Sequence, residues 1–413
     1  MTILTHPTQK RDPEIPLSRR ARETRLPPNA AASLKAKALR AEGRDIIDLT
    51  IGEPDFDTPE HIKDAAIQAM RRGETKYTPA AGTQALRDAV SRKLARENEL
   101  DYPARQIAIA NGAKQIIFNA FAATLDTGDE VIIPTPAWSS FQDAAAFNDG
   151  TPRLVPCPAS TGFKLTPEAL ERAITPKTRW LVLNSPSNPS GAVYNADELE
   201  ALADVLRRHP QVLVLLDEIY EHVHFLPGPP ASLTRVAPDL LDRILLITGV
   251  SKTYAMTGWR IGFGAGPLPL IKAMIMVQAQ ACSGVNAIAQ AAAITALDGD
   301  QSFVERAAAA YKSRRDIVVN AFAGSPHIDL VAPDGGLFAF PSCASVIGRK
   351  TPQGRLIDTD LAFGDYLLET EGVASVNGGS FDLPGHFRLS IAADANSIEE
   401  ACRRIARACA RLG

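Results

Sequence analysis

The sequence predicts an α/β fold: a large domain with a mostly parallel, seven-stranded-type sheet covered by helices on both faces, plus a smaller α+β domain. Three observations carry this reading. Between about residues 105 and 265, short continuous apolar runs alternate with helical patterns, the signature of a parallel sheet packed on both sides. Over roughly the last hundred residues, helix and strand signals are mixed without that alternation. Polar or glycine-containing segments also follow one apolar run after another, where an open α/β sheet gathers its ligand-binding loops.

The strand-like runs are Ile107–Ala110, 130–133, 180–183, 212–216, 244–247 and 261–265, all short and apolar. Helical patterns cover Ala113–Thr124, 197–208 and 269–280. Downstream, a helix over 302–323 precedes a strand near 336–340, a helix near 359–371, a strand over 387–391 and a final helix over 398–412. Residues 27–49 read as a helix and a short strand. The expected division is a small domain from 27–51 and 302–413, a large one from 52–301, and a flexible N-terminal arm over 1–26. That arm alternates basic residues with prolines, and Asp12, Glu14 and Glu23 argue against a transit peptide.

A net charge of −3 gives no electrostatic footprint for nucleic acid or an anionic membrane. No apolar run approaches the roughly 20 residues needed to span a bilayer. The five cysteines, Cys157, Cys282, Cys343, Cys402 and Cys409, are odd in number and form no CxxC. That disfavours a disulfide framework or a zinc site and favours a reducing cytoplasm. His222 and His224, two apart beside Glu221, read as an exposed strand rather than a metal-ligand pair.

The chemistry concentrates in Thr248-Gly249-Val250-Ser251-Lys252, followed by Gly258-Trp259-Arg260. An amine, a hydroxyl and a guanidinium at a strand-to-loop transition suit an aldehyde cofactor that carries a phosphate. Lysine forms a Schiff base with the aldehyde, and arginine grips the phosphate in a bidentate fork. Other strand ends offer a matching set: Asn111-Gly112-Ala113-Lys114, Pro136-Ala137-Trp138, Asn184 to Gly191, and Asp217-Glu218-Ile219-Tyr220. Small residues at a helix start leave N–H groups free for a phosphate. Lys114 in the first helical turn opposes the helix dipole, which a bound anion would relieve. Singly, Asn188-Pro189 reads as a turn, Asp217 as a helix cap, Trp138 as core and Lys114 as a surface charge. Their shared placement at strand ends favours one site.

With these segments the chain resembles the pyridoxal-phosphate aminotransferases of fold type I, class I/II, and is most similar to the bacterial aspartate aminotransferases of subgroup Ib. The resemblance also covers Gly52-Glu53-Pro54-Asp55-Phe56-Asp57-Thr58-Pro59, Lys76-Tyr77-Thr78-Pro79 and Phe387-Arg388-Leu389-Ser390, in the family's order. It implies pyridoxal 5'-phosphate as cofactor, transamination between an L-amino acid and a 2-oxo acid by a ping-pong mechanism, and a homodimer. Lys252 would carry the Schiff base and shuttle the proton, Asp217 would pair with the pyridine N–H, and Tyr220 and Asn188 would bond the phenolate oxygen. Trp138 would stack on the ring. The phosphate would be held by Gly112, Ala113 and Lys114 backbone, Ser251 and Arg260, with Tyr77 reaching it from the other subunit. Arg388 would clamp the substrate α-carboxylate, near Asn188 and Gly52.

Departures from the subgroup fall around the side-chain pocket. Ala137 stands where a tyrosine usually precedes the tryptophan, Ile391-Ala392 follows Ser390 in place of Tyr-Ala, and Leu337 replaces an aromatic after Gly335-Gly336. The N-terminal segment reads Pro28-Asn29-Ala30-Ala31-Ala32, and Gly249 replaces a serine seen in some relatives. Lys114 is retained, and in the subgroup that lysine helps read an acidic side chain, so aspartate or glutamate is the expected donor. Alternatives are a different substrate range (neutral, aromatic or basic amino acids) or a lyase or synthase on the same fold. A transcription regulator sensing the same cofactor needs a winged-helix domain ahead of the match, and the roughly thirty-five residues there do not accommodate one. A nicotinamide enzyme fits less well, because Gly262-Phe263-Gly264-Ala265-Gly266 has the wrong spacing for a dinucleotide loop.

Overall fold

The computed structural model describes residues 15–24 and 28–413. Seven strands form the main sheet: β1 Ile107–Ala110, β2 Glu130–Thr135, β3 Thr151–Pro156, β4 Thr178–Asn184, β5 Leu213–Asp217, β6 Ile244–Gly249 and β7 Gly262–Ala265. Across the sheet they run β1-β7-β6-β5-β4-β2-β3. Pairing is parallel from β3 through β2, β4 and β5 to β6, whereas β7 is antiparallel to both β6 and β1. Six strands therefore point one way. Their carboxyl ends, and the start of β7, lie along one rim, where the polar segments emerge.

Period-two alternation explains why the central strands are apolar throughout. Leu181, Leu183, Val214, Leu216 and Leu246 join an apolar cluster on one face, while Val182, Leu215, Leu245 and Ile247 join another with Ile116 and Phe121. Each such side chain, fully buried, contributes about 1.5–3 kcal/mol. β3 is the strand that pattern reading misses. It reads Thr-Pro-Arg-Leu-Val-Pro, is mostly exposed and pairs only with β2. An edge strand needs neither an apolar run nor every N–H, so two prolines are tolerated there.

A second apolar core combines Leu49 with Tyr311, Val318, Phe363, Leu389 and Ile398. Ile47–Asp48 pairs in parallel with Val373–Ala374, and Phe387–Ser390 lies antiparallel between Val376–Asn377 and Phe338–Ala339. The helix Ala395–Ala410 is capped by Asp394 and buries Ile398, Ala401, Cys402, Ile405, Ala408 and Cys409 at three- and four-residue spacing. Tyr220, Val223 and Phe225, just beyond β5, belong to this second core, so the two cores meet at the rim.

Of the expected arm, residues 1–14 and 25–26 lie outside the described residues. Within 15–24, Arg19–Glu23 form a short exposed helix capped by Ser18, and Arg19 and Arg20 both pair with Asp149. One expectation changes. His222 and His224 do not lie on an exposed strand. The chain turns after β5, His222 bonds Glu97 and Thr253, and His224 forms a single bridge with Gly335.

Candidate active site

The rim encloses a cavity of about 330 Å³ between the two cores. Lys252 reaches it from the loop after β6, where Tyr254 N–H donates to Val250 O and Met256 N–H to Ser251 O. That tight turn buries Val250, Thr253 and Tyr254 and leaves Lys252 on the cavity wall. Its Nζ donates to Gly52 O at 2.6 Å. Burial lowers its pKa to about 8; Arg260 and Arg388 add to the effect and Glu53 opposes it.

Asp217 ends β5 at the same wall, 3% exposed. Its Oδ1 accepts the Ile219 N–H at 3.1 Å, and burial pushes its pKa up to about 7. Among the described residues no cation pairs with it. Asn184, ending β4, donates through Nδ2 to Asp217 O at 2.9 Å and accepts the Asn188 N–H at 2.8 Å. Tyr220 is buried, its ring edge-on to Phe338 at 6.2 Å, and burial raises its pKa.

Arg388, in the strand Phe387–Ser390, is 2% exposed. Nη1 donates to Asn188 Oδ1 at 2.9 Å and Nη2 to Thr50 O at 2.6 Å, while Nε is buried without an acceptor. Its guanidinium lies 4.1 Å from the Phe338 ring centre and 4.8 Å from that of Phe381. Burial lowers its pKa to about 10. A buried guanidinium facing a cavity with no carboxylate partner among the described residues is what an incoming carboxylate would complete.

Where β1 gives way to the helix Ala113–Thr124, no side chain caps the helix and no acid occupies its first turn. Gly112 has φ +85°, and a Cβ there would meet Arg260 Nη2 at 2.5 Å. A Cβ at Gly262 would overlap the Ala113 nitrogen. Both glycines let Arg260 and the uncapped helix start approach each other. Arg260 is itself in the left-handed region (φ 57°) and donates to Thr257 O and Asn111 O. Lys114 Nζ lies 4.8 Å from the Trp138 ring centre, and its pKa is lowered, first by burial, with Asp143 opposing and Arg260 assisting.

Of the residues singled out in the sequence, Gly52, Ala113, Lys114, Trp138, Asn188, Asp217, Tyr220, Ser251, Lys252, Arg260 and Arg388 all line this one cavity. Gly112 adjoins it through Arg260. Tyr77 does not: it is 97% exposed and borders a separate cleft with Asn286 and Ile288. Phe338, Glu53 and Thr257 also line the cavity, and the sequence assigns none of them a role there. Phe338 follows Gly335-Gly336-Leu337, and nothing in its spacing distinguishes it from core. Glu53 lay within a matched segment and carried no assigned role.

An amine of lowered pKa, a buried carboxylate lacking a cation and an uncapped helix start beside an arginine fit pyridoxal 5'-phosphate: its aldehyde, its ring nitrogen and its phosphate. Placed along the rim of a mostly parallel sheet, they define a pyridoxal-phosphate enzyme of fold type I. The sequence matches the class I and II aminotransferases over residues 44–405, and the chain belongs to that family. It is 50% identical over 388 residues to a probable aspartate/prephenate aminotransferase of Rhizobium leguminosarum bv. phaseoli, covering 94% of this chain and 97% of that one. It is also 50% identical over 378 residues to the aspartate aminotransferase of Rhizobium meliloti (strain 1021), covering 92% of each. The crystal structure of the aspartate aminotransferase of Rhizobium meliloti superposes with a TM-score of 0.94 at 47% identity, over 97% of this chain and 100% of that one. The Thermus thermophilus aspartate aminotransferase with maleate gives 0.89 at 40%, over 95% and 100%. The chain is thus an aminotransferase that uses pyridoxal 5'-phosphate to move amino groups between amino acids and 2-oxo acids. Among the described residues, no helix is long and apolar enough to cross a membrane.

Proposed function

We propose that this aminotransferase takes a dicarboxylic amino acid, L-aspartate or L-glutamate, as amino donor at the Lys252 cavity, with a 2-oxo acid as acceptor. The observation that carries the reading is a pair of cations lining one cavity: Arg388, buried without a carboxylate partner among the described residues, and Lys114 beside Trp138. Two cations suit two carboxylates. Relatives named aspartate aminotransferase, one of them with the dicarboxylate maleate, support it. The name of the Rhizobium leguminosarum relative favours a second acceptor, prephenate, which also carries two carboxylates.

When bound, the cofactor draws electrons from the substrate Cα through its protonated ring. Asp217 holds the proton at the ring nitrogen and gains there the cation it lacks. Lys252 serves first as the amine that reaches the aldehyde and then as the base that moves the proton at the substrate Cα. An amine whose pKa is lowered to about 8 is partly neutral at physiological pH, as both tasks require. Tyr220 and Asn188 would donate to the phenolate oxygen, and Trp138 would lie against the ring. The N–H groups of Ala113 and Lys114, with Ser251 and Arg260, would hold the phosphate; the Gly112 N–H donates to Ala110 O, and Gly112 serves by leaving room for Arg260. Arg388 grips the α-carboxylate, with Asn188 and Gly52 bordering it, and Lys114 faces the distal carboxylate.

A homodimer, with Tyr77 reaching the partner's phosphate site, is part of the same proposal. In support, Tyr77 is nearly wholly exposed, and an open cleft of about 720 Å³ runs from Arg260 to Asn286 and Ile288. The division into a small domain (27–51 and 302–413) and a large one (52–301), and a cytoplasmic location, are proposed with it.

Initial rates with a panel of amino acids against 2-oxoglutarate, oxaloacetate, pyruvate and prephenate test the substrate reading. Aspartate and glutamate should give the highest kcat/KM among donors. A panel led by a neutral or aromatic donor, with little turnover of the two acids, overturns it.

A further inference from the structure

A cluster of buried ionic groups takes no part in the scheme above. Lys93, 1% exposed, donates from Nζ to Glu221 Oε1 at 2.6 Å and to Asn98 Oδ1 at 2.8 Å, with Glu97 Oε2 at 3.5 Å. Asn98 Nδ2 donates to Glu221 Oε2 at 2.9 Å. His222 contacts Glu97 Oε2 and Thr253 Oγ1, each at 3.1 Å, and Thr248 Oγ1 donates to Glu221 Oε1 at 2.7 Å. Burial alone would raise the pKa of Glu221, but Lys93 and His222, with hydrogen bonds from Asn98 and Lys93, hold it down at about 2. The carboxylate therefore stays charged inside the protein.

The placement of the cluster is informative. Glu97, Glu221 and His222 border a second cavity, of about 250 Å³, and line no part of the Lys252 cavity. Yet two of its bonds reach the stretch that carries Lys252: Glu221 accepts from Thr248, and His222 contacts Thr253. Tyr220 precedes Glu221 and His222 in the chain, and Thr248 and Thr253 bracket Ser251-Lys252. A buried ion pair is weak as a source of stability, since apolar residues of similar volume usually serve as well or better. One that ties two site-bearing segments together has a further use.

We propose that the Lys93–Glu221–His222 cluster is a positioning device: by bonding Thr248 and Thr253 on either side of Lys252, it holds that amine in register with Tyr220. The inference rests on the reading of Lys252 and Tyr220 as groups at the cofactor. The threonines are the direct links, Lys93 and Glu221 the fixed point to which they are tied. Misplacing a reacting group by an ångström costs on the order of a hundredfold in rate, so loss of the links registers in kcat before it registers in stability.

Thr248→Val and Thr253→Val, singly and together, delete the links while leaving Lys93 paired with Glu221 and His222 with Glu97. In the double variant, the cofactor-free protein should melt within a few degrees of wild type and KM for the amino acid should stay within about twofold. There kcat should fall roughly ten- to a hundredfold, and the pH midpoint of the visible absorbance of the cofactor-loaded protein should shift. Thr253→Ser, which keeps the hydroxyl, should behave as wild type. Wild-type kcat and an unshifted midpoint in the double variant overturn the proposal. Lys93→Met should also lower kcat, but with a loss of stability, because it leaves the buried Glu221 carboxylate without its cation; if it fails to fold, the threonine double variant decides. Lys252→Ala, measured in parallel, separates the two readings. If turnover survives there, the site itself is misread; if it is abolished while the threonine variants match wild type, only the role of the cluster falls.

Discussion

Arg388 donates through Nη1 to Asn188 Oδ1 at 2.9 Å, joining a strand of the second core to the loop after β4 across 200 residues of sequence. The same guanidinium holds Thr50 O and is covered by the Phe338 and Phe381 rings, so its orientation is set before any substrate arrives. Arg388→Lys keeps the charge and loses the fork. It should raise KM for every amino acid and lower kcat/KM by roughly ten- to a hundredfold, as expected for losing about 1.5–3 kcal/mol of charge-assisted hydrogen bonding. Steady-state kinetics with aspartate and alanine check this, and wild-type KM in the variant would show the clamp to be elsewhere.

Lys114 is expected to act on one end of the substrate only. Lys114→Met should cost aspartate about tenfold or more in kcat/KM, as for one hydrogen bond to a charged group, and leave alanine nearly unchanged. An equal loss for both would assign Lys114 to the cofactor alone.

The pKa of Lys252, lowered by burial from 10.5 to about 8, is directly measurable. In the cofactor-free protein its reactivity toward an aldehyde should rise with pH through a midpoint near 8, because the neutral amine is the nucleophile. Lys252→Ala should remove that reactivity, the visible absorbance of the loaded enzyme and essentially all turnover.

Asp217 makes a prediction about stability with a definite sign. Its folded pKa of about 7 lies above the ordinary 3.8. Below pH 3.8 the carboxyl is protonated folded and unfolded, and makes no difference. Between there and about pH 7 the unfolded chain ionises first, so the cofactor-free protein loses stability as pH rises, and above about 7 the loss is constant. Asp217→Asn should therefore melt higher than wild type at pH 8, by up to about 4 kcal/mol, with the difference fading toward pH 4. The same variant, loaded with cofactor, should lose most of its rate. Calorimetry of the cofactor-free proteins across that range is the check.

Tyr77 lies on a separate cleft from Lys252 in its own chain. If a second copy receives it, Tyr77→Ala should weaken cofactor binding, and sedimentation should show a dimer. Mixed dimers of Tyr77→Ala with Lys252→Ala would then regain one intact site. No recovery on mixing, or a fully active monomer, rules the shared site out.

Much of this protein could be read from its residues. Continuous apolar runs such as Ile-Leu-Leu-Ile in β6 must be covered on both faces, and polar segments after successive runs must gather at one rim of a parallel sheet. That reasoning places Lys252, Asp217, Asn188 and Trp138 at one site. β3 escaped it because an edge strand is not selected for hydrophobicity. Phe338 escaped because its neighbours Arg388 and Tyr220 are remote in sequence, and His222 because a spacing of two says nothing once the backbone turns. Local pattern depends on which face a residue presents, which the chain itself dictates. The lowered pKa of Lys252, the raised one of Asp217 and the Arg388 guanidinium, which meets no carboxylate among the described residues, depend on how much water and which charges surround each group, and packing of distant segments alone decides that.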